Sequence, residues 1–289
     1  FGIIETTGAA TGSASFLHDQ GIPVTGPALE PAWTADDNMF TYLSFIGPGS
    51  TTTWGDYTIS QGGRTAFILR TAFSETMRSI AEKVSASLRA AGVRIASSIE
   101  VSPSIDVDRL GAQIKASGAD SLVALASPDT LDQAVIAARN AGVPLKVVMS
   151  FSPGYDQSLL QKYGQQLAGT SYFLGATPFE LDAPAHREFL HAMDMYAPQL
   201  QPSTNGGALS GWISADMMIR GLQEAGGCPT RQQFIHGFRA VRDYNANGLL
   251  PAPLDMTASF GQMNNCLSFV KVADDGTRFT PEASRCGRR

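Results

Sequence analysis

The chain has 289 residues, enough for about two domains at roughly 150 residues each. Its 21 basic and 26 acidic residues leave a net charge of −5, which argues against a nucleic-acid partner, because such proteins carry basic patches. With 43% hydrophobic residues it can fill one or two cores, which excludes disorder as its main state, and no apolar run approaches the ~18 residues of a membrane span.

Phe1–Ile4 reads as a buried strand. No basic stretch followed by a long apolar run marks a signal peptide, so a chain that opens in a core strand is expected to have lost upstream residues. Further strands are predicted at 22–26, 41–46, 65–70, 94–101, 121–126, 145–150 and 170–174. Between them the spacing predicts helices over 11–20, 50–61, 75–91, 107–117, 128–141 and 157–163. Strands that are near-continuous apolar runs, alternating with helices over short connections, indicate parallel sheets covered on both faces.

The helix signals are specific. Met77, Ile80, Ala81, Val84 and Leu88 make one apolar stripe at helical spacing, and Gly92 supplies a left-handed stop. Ser127-Pro128-Asp129 combines an N-cap, a proline in the first turn and an acid at the positive end of the helix. After about residue 178 the pattern changes. Helices are predicted at 184–197, 208–225 and 230–241, then strands at 249–256, 267–272 and 278–280, with Asp275-Gly276 as a hairpin turn. The Gly/Ser/Thr cluster 47–53 reads as a crossing between lobes.

Chemistry-bearing motifs are absent from the sequence. There is no phosphate-binding glycine loop and no nucleophile elbow. His186 and His191 are five apart and do not share a helix face, so a surface or supporting role is expected. No cofactor or metal is called for. Core filling is expected of Trp33, Trp54 and Trp212, although Trp33 in a loop and Trp54 close to one suggest rings near a cleft. Cys228, Cys266 and Cys286 make no zinc spacing. They are either buried thiols or form one bridge, with Cys266–Cys286 and Cys228–Cys266 the favoured pairings.

A binding role remains. In open parallel sheets ligands sit beyond the carboxyl ends of the strands. Here those ends are rich in small and hydroxyl residues: Glu5-Thr6-Thr7-Gly8 with Ala9-Ala10-Thr11, then Gly26–Glu30, Arg70–Phe73, Ala126–Pro128 and Ser150–Ser152. Small residues at such turns let backbone N–H groups approach a ligand, and a helix N-terminus favours an anion.

The opening FGIIETTGAATGSASFLHDQGIPVTGPALEP, together with RAAGVRI, SGADSLVALASPDTLDQAVIAARNAGV and DDGTRF, resembles the type I periplasmic binding proteins, the leucine/isoleucine/valine-binding protein and its relatives. The resemblance covers nearly the whole chain. It implies further strand–helix units upstream, which fits the expected loss of upstream residues. It also implies two Rossmann-like α/β lobes with parallel sheets, joined by three crossovers and closing on a ligand. Lobe one would comprise 1–47 and 179–258, and lobe two 48–178 and 259–289.

Carried over residue by residue, the resemblance places ligand contacts at Thr6, Thr7 and Gly8, at Ala28 and Glu30, and at Phe73, Ser127 and Phe151. The acid that pairs with an amino-acid ammonium in the family has no counterpart in Met149–Pro153, and the family's aromatic near Ser74 is displaced to Phe73. Both departures speak against an ordinary aliphatic amino acid, and Glu30 is either a substitute partner for a cation or a surface residue. The expected function is a monomeric extracytoplasmic carrier, secreted or lipid-tethered, that delivers a small polar organic molecule to the permease of an ABC importer. The ligand would be amino-acid-like or an organic or aromatic carboxylate. The competing readings are a ligand-sensing receptor or regulator of the same fold, and an α/β enzyme, which would need a convergent nucleophile–base pair.

Overall fold

The computed structural model describes residues 1–6, 11–71, 75–102 and 105–289. The chain passes three times between two compact units, one made of 1–49 and 175–264, the other of 50–174 and 265–289. The first passage carries β1 (Ile3–Ile4), α1 (Thr11–Asp19), β2 (Val24–Ala28), α2 (Ala32–Ala35) and β3 (Met39–Ser44). The second carries α3 (Thr53–Ser60), β4 (Thr65–Thr71), α4 (Glu75–Ala90), β5 (Arg94–Val101), α5 (Val107–Ser117), β6 (Ser121–Leu125), α6 (Pro128–Asn140), β7 (Val147–Phe151), α7 (Gln157–Tyr163) and β8 (Thr170–Leu174). The third adds α8 (Pro184–Tyr196), α9 (Gly206–Ala225) and α10 (Arg231–Arg239), and the last adds β9 (Cys266–Val272) and β10 (Phe279–Cys286).

In the first unit, the described sheet is parallel, in the order β1-β2-β3. β1 departs from the expected buried strand. It pairs only with β2 among the described residues, and Ile3 and Ile4 are 39% and 48% exposed. Gly26 lets the chain after β1 lie close against β2, since a Cβ there would come within 2.5 Å of the Glu5 carbonyl oxygen. Trp33 is not at a cleft. It sits in the short α2 with its ring in a core of Val24, Ala28, Met39 and Ile46. On the other side of the sheet Phe40 meets Phe234 and Phe238 of α10.

The expected strand at 249–256 does not form. Leu249, Leu250 and Met256 are buried one by one in an irregular segment tied by an isolated bridge between Tyr244 and Leu254. A run of apolar residues there imitates a strand without a ladder partner. His186 is also not a surface residue. It is fully buried, its Nδ1 accepts the Ala183 backbone N–H at 3.2 Å, and its Nε2 faces the Thr177 carbonyl at 3.1 Å. It thereby caps the start of α8.

In the second unit the strand order is β10-β9-β8-β7-β6-β4-β5, among the described residues. The five strands from β8 to β5 run parallel, and β9 is antiparallel to both β8 and β10. One face packs Leu110 and Ile114 of α5 and Leu131 and Val135 of α6 against Leu122, Ala124, Tyr172 and Leu174. Phe173 alternates to the opposite face, where Trp54 of α3 meets it edge-on at 5.6 Å. Trp54 is therefore core as well, and no cleft ring. Tyr57 stacks on Phe269 at 3.9 Å and donates to Ser171 Oγ at 2.7 Å.

At the amino edge of this sheet Asp120 Oδ1 accepts the backbone N–H groups of Arg64 and Thr65, each at 2.9 Å, and joins the start of β4 to that of β6. The β9–β10 hairpin turns at Gly276, whose φ of 71° is a left-handed conformation that glycine adopts without strain. β10 is longer than the sequence pattern suggests. It reaches Cys286 and accommodates Pro281 because it lies at the sheet edge, where a missing N–H costs no ladder bond. Cys266 and Cys286, directly paired across this hairpin, form a disulfide, and Cys228 is a free, exposed thiol.

Candidate functional site

In the first unit the candidate residues cluster at the carboxyl ends of β1 and β2. The Glu5 N–H donates to Thr25 O at 2.8 Å, so the chain follows β2 as far as Glu5, and Thr6, the next residue, is exposed. Thr6 lies against α9, its Cγ2 standing 3.5 Å from where a Gly211 Cβ would project. Ala28 closes β2 with its side chain fully buried, and Glu30 is half-buried, its carbonyl accepting the Trp33 N–H at 3.2 Å. Thr7 and Gly8 lie outside the described residues.

A polar seam that sequence reasoning missed runs between this sheet and α9. Thr25 Oγ1 donates to Ser214 O, and Tyr42 Oη donates to Ser210 Oγ, both at 2.7 Å. Burial pushes the Tyr42 hydroxyl up to about 12, against the Ser210 hydrogen bond, so it remains a donor. Only Ser210 contributes a side chain from α9; Ser214 offers its backbone carbonyl while its own hydroxyl donates to Ser210 O at 2.7 Å, so residue type gave little signal.

In the second unit the carboxyl ends of β4, β6 and β7 lie side by side, as the pairings Arg70 with Leu125 and Ala124 with Ser150 require. Phe73, beyond β4, lies outside the described residues. Ser127 follows β6 and is exposed. Its Oγ accepts the Thr130 N–H at 3.3 Å and lies 3.0 Å from Thr130 Oγ1, so it caps α6. Phe151 ends β7 half-buried, and the chain then turns through Ser152–Gly154, closed by the Tyr155 N–H on Ser152 O at 2.9 Å.

Arg70 sits at the end of β4 and pairs with Glu100 on β5, which Arg78 of α4 also approaches at 3.9 Å. The edge that carries Ser127 and Phe151 thus also carries guanidinium groups. No group of three or more His, Cys, Asp or Glu residues that could hold a metal occurs among the described residues, and none of their helices is long and apolar enough to cross a membrane.

A family model described as periplasmic binding protein matches residues 1–277. No curated protein matches the sequence. The fold is that of solved binding proteins of ABC transporters. A substrate-binding protein from Aeropyrum pernix superposes with a TM-score of 0.80 at 11% identity, over 99% of this chain and 76% of its own. The leucine-binding protein LivK from Thermotoga maritima gives 0.76 at 12% identity, over 98% and 78%. A solute-binding protein from R. palustris, in complex with 4-hydroxybenzoate, gives 0.75 at 13% identity, over 100% and 78%. With the family model spanning nearly its whole length, the chain belongs to the periplasmic binding protein family.

Proposed function

We propose that this chain is an extracytoplasmic solute-binding protein of an ABC importer, monomeric, which captures a small polar organic ligand and presents it to the permease. The ligand is amino-acid-like or an organic or aromatic carboxylate. Lobe one is built on residues 1–47 and 179–258 and lobe two on 48–178 and 259–289, and capture proceeds by lobe closure. Thr6, Thr7, Gly8, Ala28 and Glu30 would serve from lobe one, and Phe73, Ser127 and Phe151 from lobe two. The family membership carries this reading. Two neighbours of the same fold, one named for leucine and one holding 4-hydroxybenzoate, support the two ligand classes. The clustering of Ser127 and Phe151 on one edge of a parallel sheet, where open α/β sheets take ligands, supports the sites.

A thermal-shift screen of amino acids and aromatic and aliphatic carboxylic acids tests it. A ligand at 100 times its Kd stabilises the native state by about 2.7 kcal/mol, and so raises Tm. Isothermal titration of any hit then gives stoichiometric binding without turnover. Thr7→Trp is expected to abolish the shift while leaving the unliganded Tm unchanged. A panel without hits, or turnover of a hit, would defeat the reading.

A further inference from the structure

Asn264 and Asn265 are consecutive residues fixed to different units. Asn264 is held in the first. Its Oδ1 accepts the Ser44 N–H at 2.6 Å, its Nδ2 donates to Tyr42 O at 3.1 Å, and its backbone N–H donates to Ser44 O at 3.0 Å. Asn265 is held in the second. Its carbonyl accepts the Thr53 hydroxyl at 2.6 Å and the Gly287 N–H at 2.8 Å, and its Nδ2 donates to Gly287 O at 2.9 Å. The last passage of the chain therefore changes units across one peptide link.

The anchor in the second unit is made by the C-terminal tail. Beyond β10 the Gly287 N–H also reaches Thr53 Oγ1 at 3.1 Å. The Arg288 N–H donates to Thr52 Oγ1 at 2.9 Å, and the Thr52 N–H donates back to Arg288 O at 3.0 Å. Thr52 and Thr53 begin α3, just after the first passage enters this unit at Ser50. Both are buried, and so is Gly287, where a Cβ would collide with the Thr53 nitrogen and with Thr51 Oγ1. Two tail residues thus tie the segment after the first crossing to the segment after the last. The Cys266–Cys286 bridge joins the residues next to Asn265 and Gly287. Chain ends fray unless something ties them down, and a hinge localises motion only when the residues beside it are held.

We propose that Gly287–Arg288 is a redox-sensitive strap. Held by the Cys266–Cys286 bridge, it fixes the second-unit side of a pivot at Asn264–Asn265, and opening the bridge loosens the pivot and weakens ligand capture. The effect on capture rests on the function proposed above; the strap does not. Cys286 is exposed, which opens the bridge to a dithiol. One thiolate of the dithiol attacks the S–S bond and the second completes the exchange. Cys266 and Cys286 gain two electrons and two protons and become thiols, and the dithiol becomes a cyclic disulfide. The ladder of Phe279–Glu282 on Phe269–Val272 stays in place. A looser pivot leaves a smaller fraction of molecules competent to close, and the apparent Kd rises in proportion.

Amide hydrogen exchange on the whole chain tests the strap without a ligand. The window is chosen short enough that the β6 amides stay unlabelled, so that only local opening is read. With dithiothreitol, and in the double variant Cys266→Ser/Cys286→Ser, exchange at Thr52 and Gly287 is expected to rise at least about tenfold. Gly287→Ala, which keeps the bridge, is expected to raise Thr52 exchange likewise. Unchanged exchange at Thr52 in the reduced protein or in Gly287→Ala overturns the proposal, and so does a rise confined to 287–289. Should the serine pair not fold, reduced wild type and Gly287→Ala decide. Any ligand from the thermal-shift screen is expected to bind the reduced protein at least about tenfold more weakly, and an unchanged Kd overturns the pivot. A screen without hits defeats the proposed function and leaves the exchange readouts to decide the strap.

Discussion

The guanidinium of Arg239 lies 4.2 Å from the centre of the Phe40 ring. A second ring, Phe260, stands 4.3 Å away, so the cation is flanked by two aromatic faces. The same group donates to the carbonyls of Asp37, Met39 and Met256 at 2.7, 2.9 and 3.1 Å. Arg239 thus gathers β3, the segment before it and the 249–256 segment of the first unit around one side chain. Burial lowers its pKa to about 10, against the Asp37 charge, so it stays protonated at neutral pH.

Arg239→Ala is expected to cost about 3 kcal/mol, since it strips three carbonyls of a charged donor and removes two ring contacts. Arg239→Lys keeps the charge but not the planar fork that reaches several carbonyls together, and should lose nearly as much. Urea denaturation measures both. A loss under about 0.5 kcal/mol for Arg239→Ala, the size of an ordinary surface change, would contradict the assignment.

Asp120 gives the second unit an acid-sensitive joint. Burial alone would raise its pKa, but the N–H groups of Arg64 and Thr65, the Ser121 hydroxyl and Lys146 outweigh that and lower it. A carboxyl with a depressed folded pKa contributes stability that is present above the unfolded value and is lost as pH falls through the folded one. The wild type should therefore lose stability below about pH 4 more steeply than Asp120→Asn, which should itself be about 1–2 kcal/mol less stable at pH 7. Chemical denaturation at pH 7 and pH 3 gives both differences, and parallel pH curves would rule the joint out.

The Cys266–Cys286 bridge closes a loop with a sequence separation of 20. Loop-closure entropy assigns such a cross-link about 3 kcal/mol. Reduction, or replacement of both residues by serine, should lower Tm, while alkylation of the exposed Cys228 should leave it unchanged. If alkylating Cys228 alone lowered Tm as much as reduction does, the pairing would be wrong.

Gly26 connects fold and candidate site. Alanine there must displace the Glu5 carbonyl, 2.5 Å from the new Cβ, and with it the path of the chain into Thr6. We expect about 1–3 kcal/mol of destabilisation, as in overpacked cores. Any ligand found by the thermal-shift screen should bind at least tenfold more weakly. Unchanged affinity would separate this turn from ligand binding.

Much of the architecture is legible in residue order. The buried runs 65–70, 121–126 and 170–174 became parallel strands, and Ser127-Pro128-Asp129 became the start of α6. What local pattern misreads are positions where burial comes without a partner strand, or pairing without burial. Leu249–Met256 is apolar but has no ladder, β1 has a ladder but little cover, and β10 continues past Pro281 through alternating polar residues. His186, Trp33 and Trp54 look free to face solvent or a cleft until tertiary packing encloses them. In the candidate site, Ser127 and Phe151 could be paired from strand order alone. Arg70 with Glu100 depends on the register of β4 against β5, which no local pattern fixes.

The route of the backbone has a consequence for synthesis. β8 is complete at Leu174, yet its neighbour β9 begins at Cys266, and Phe173 is paired with Phe269. While the ribosome makes the intervening residues, the nascent second unit holds β8 as an open apolar edge, and such edges invite intermolecular pairing. Fragments that stop near residue 174 are therefore expected to aggregate. A shortened chain that joins 265–289 directly to the 50–174 stretch should instead yield an autonomous body.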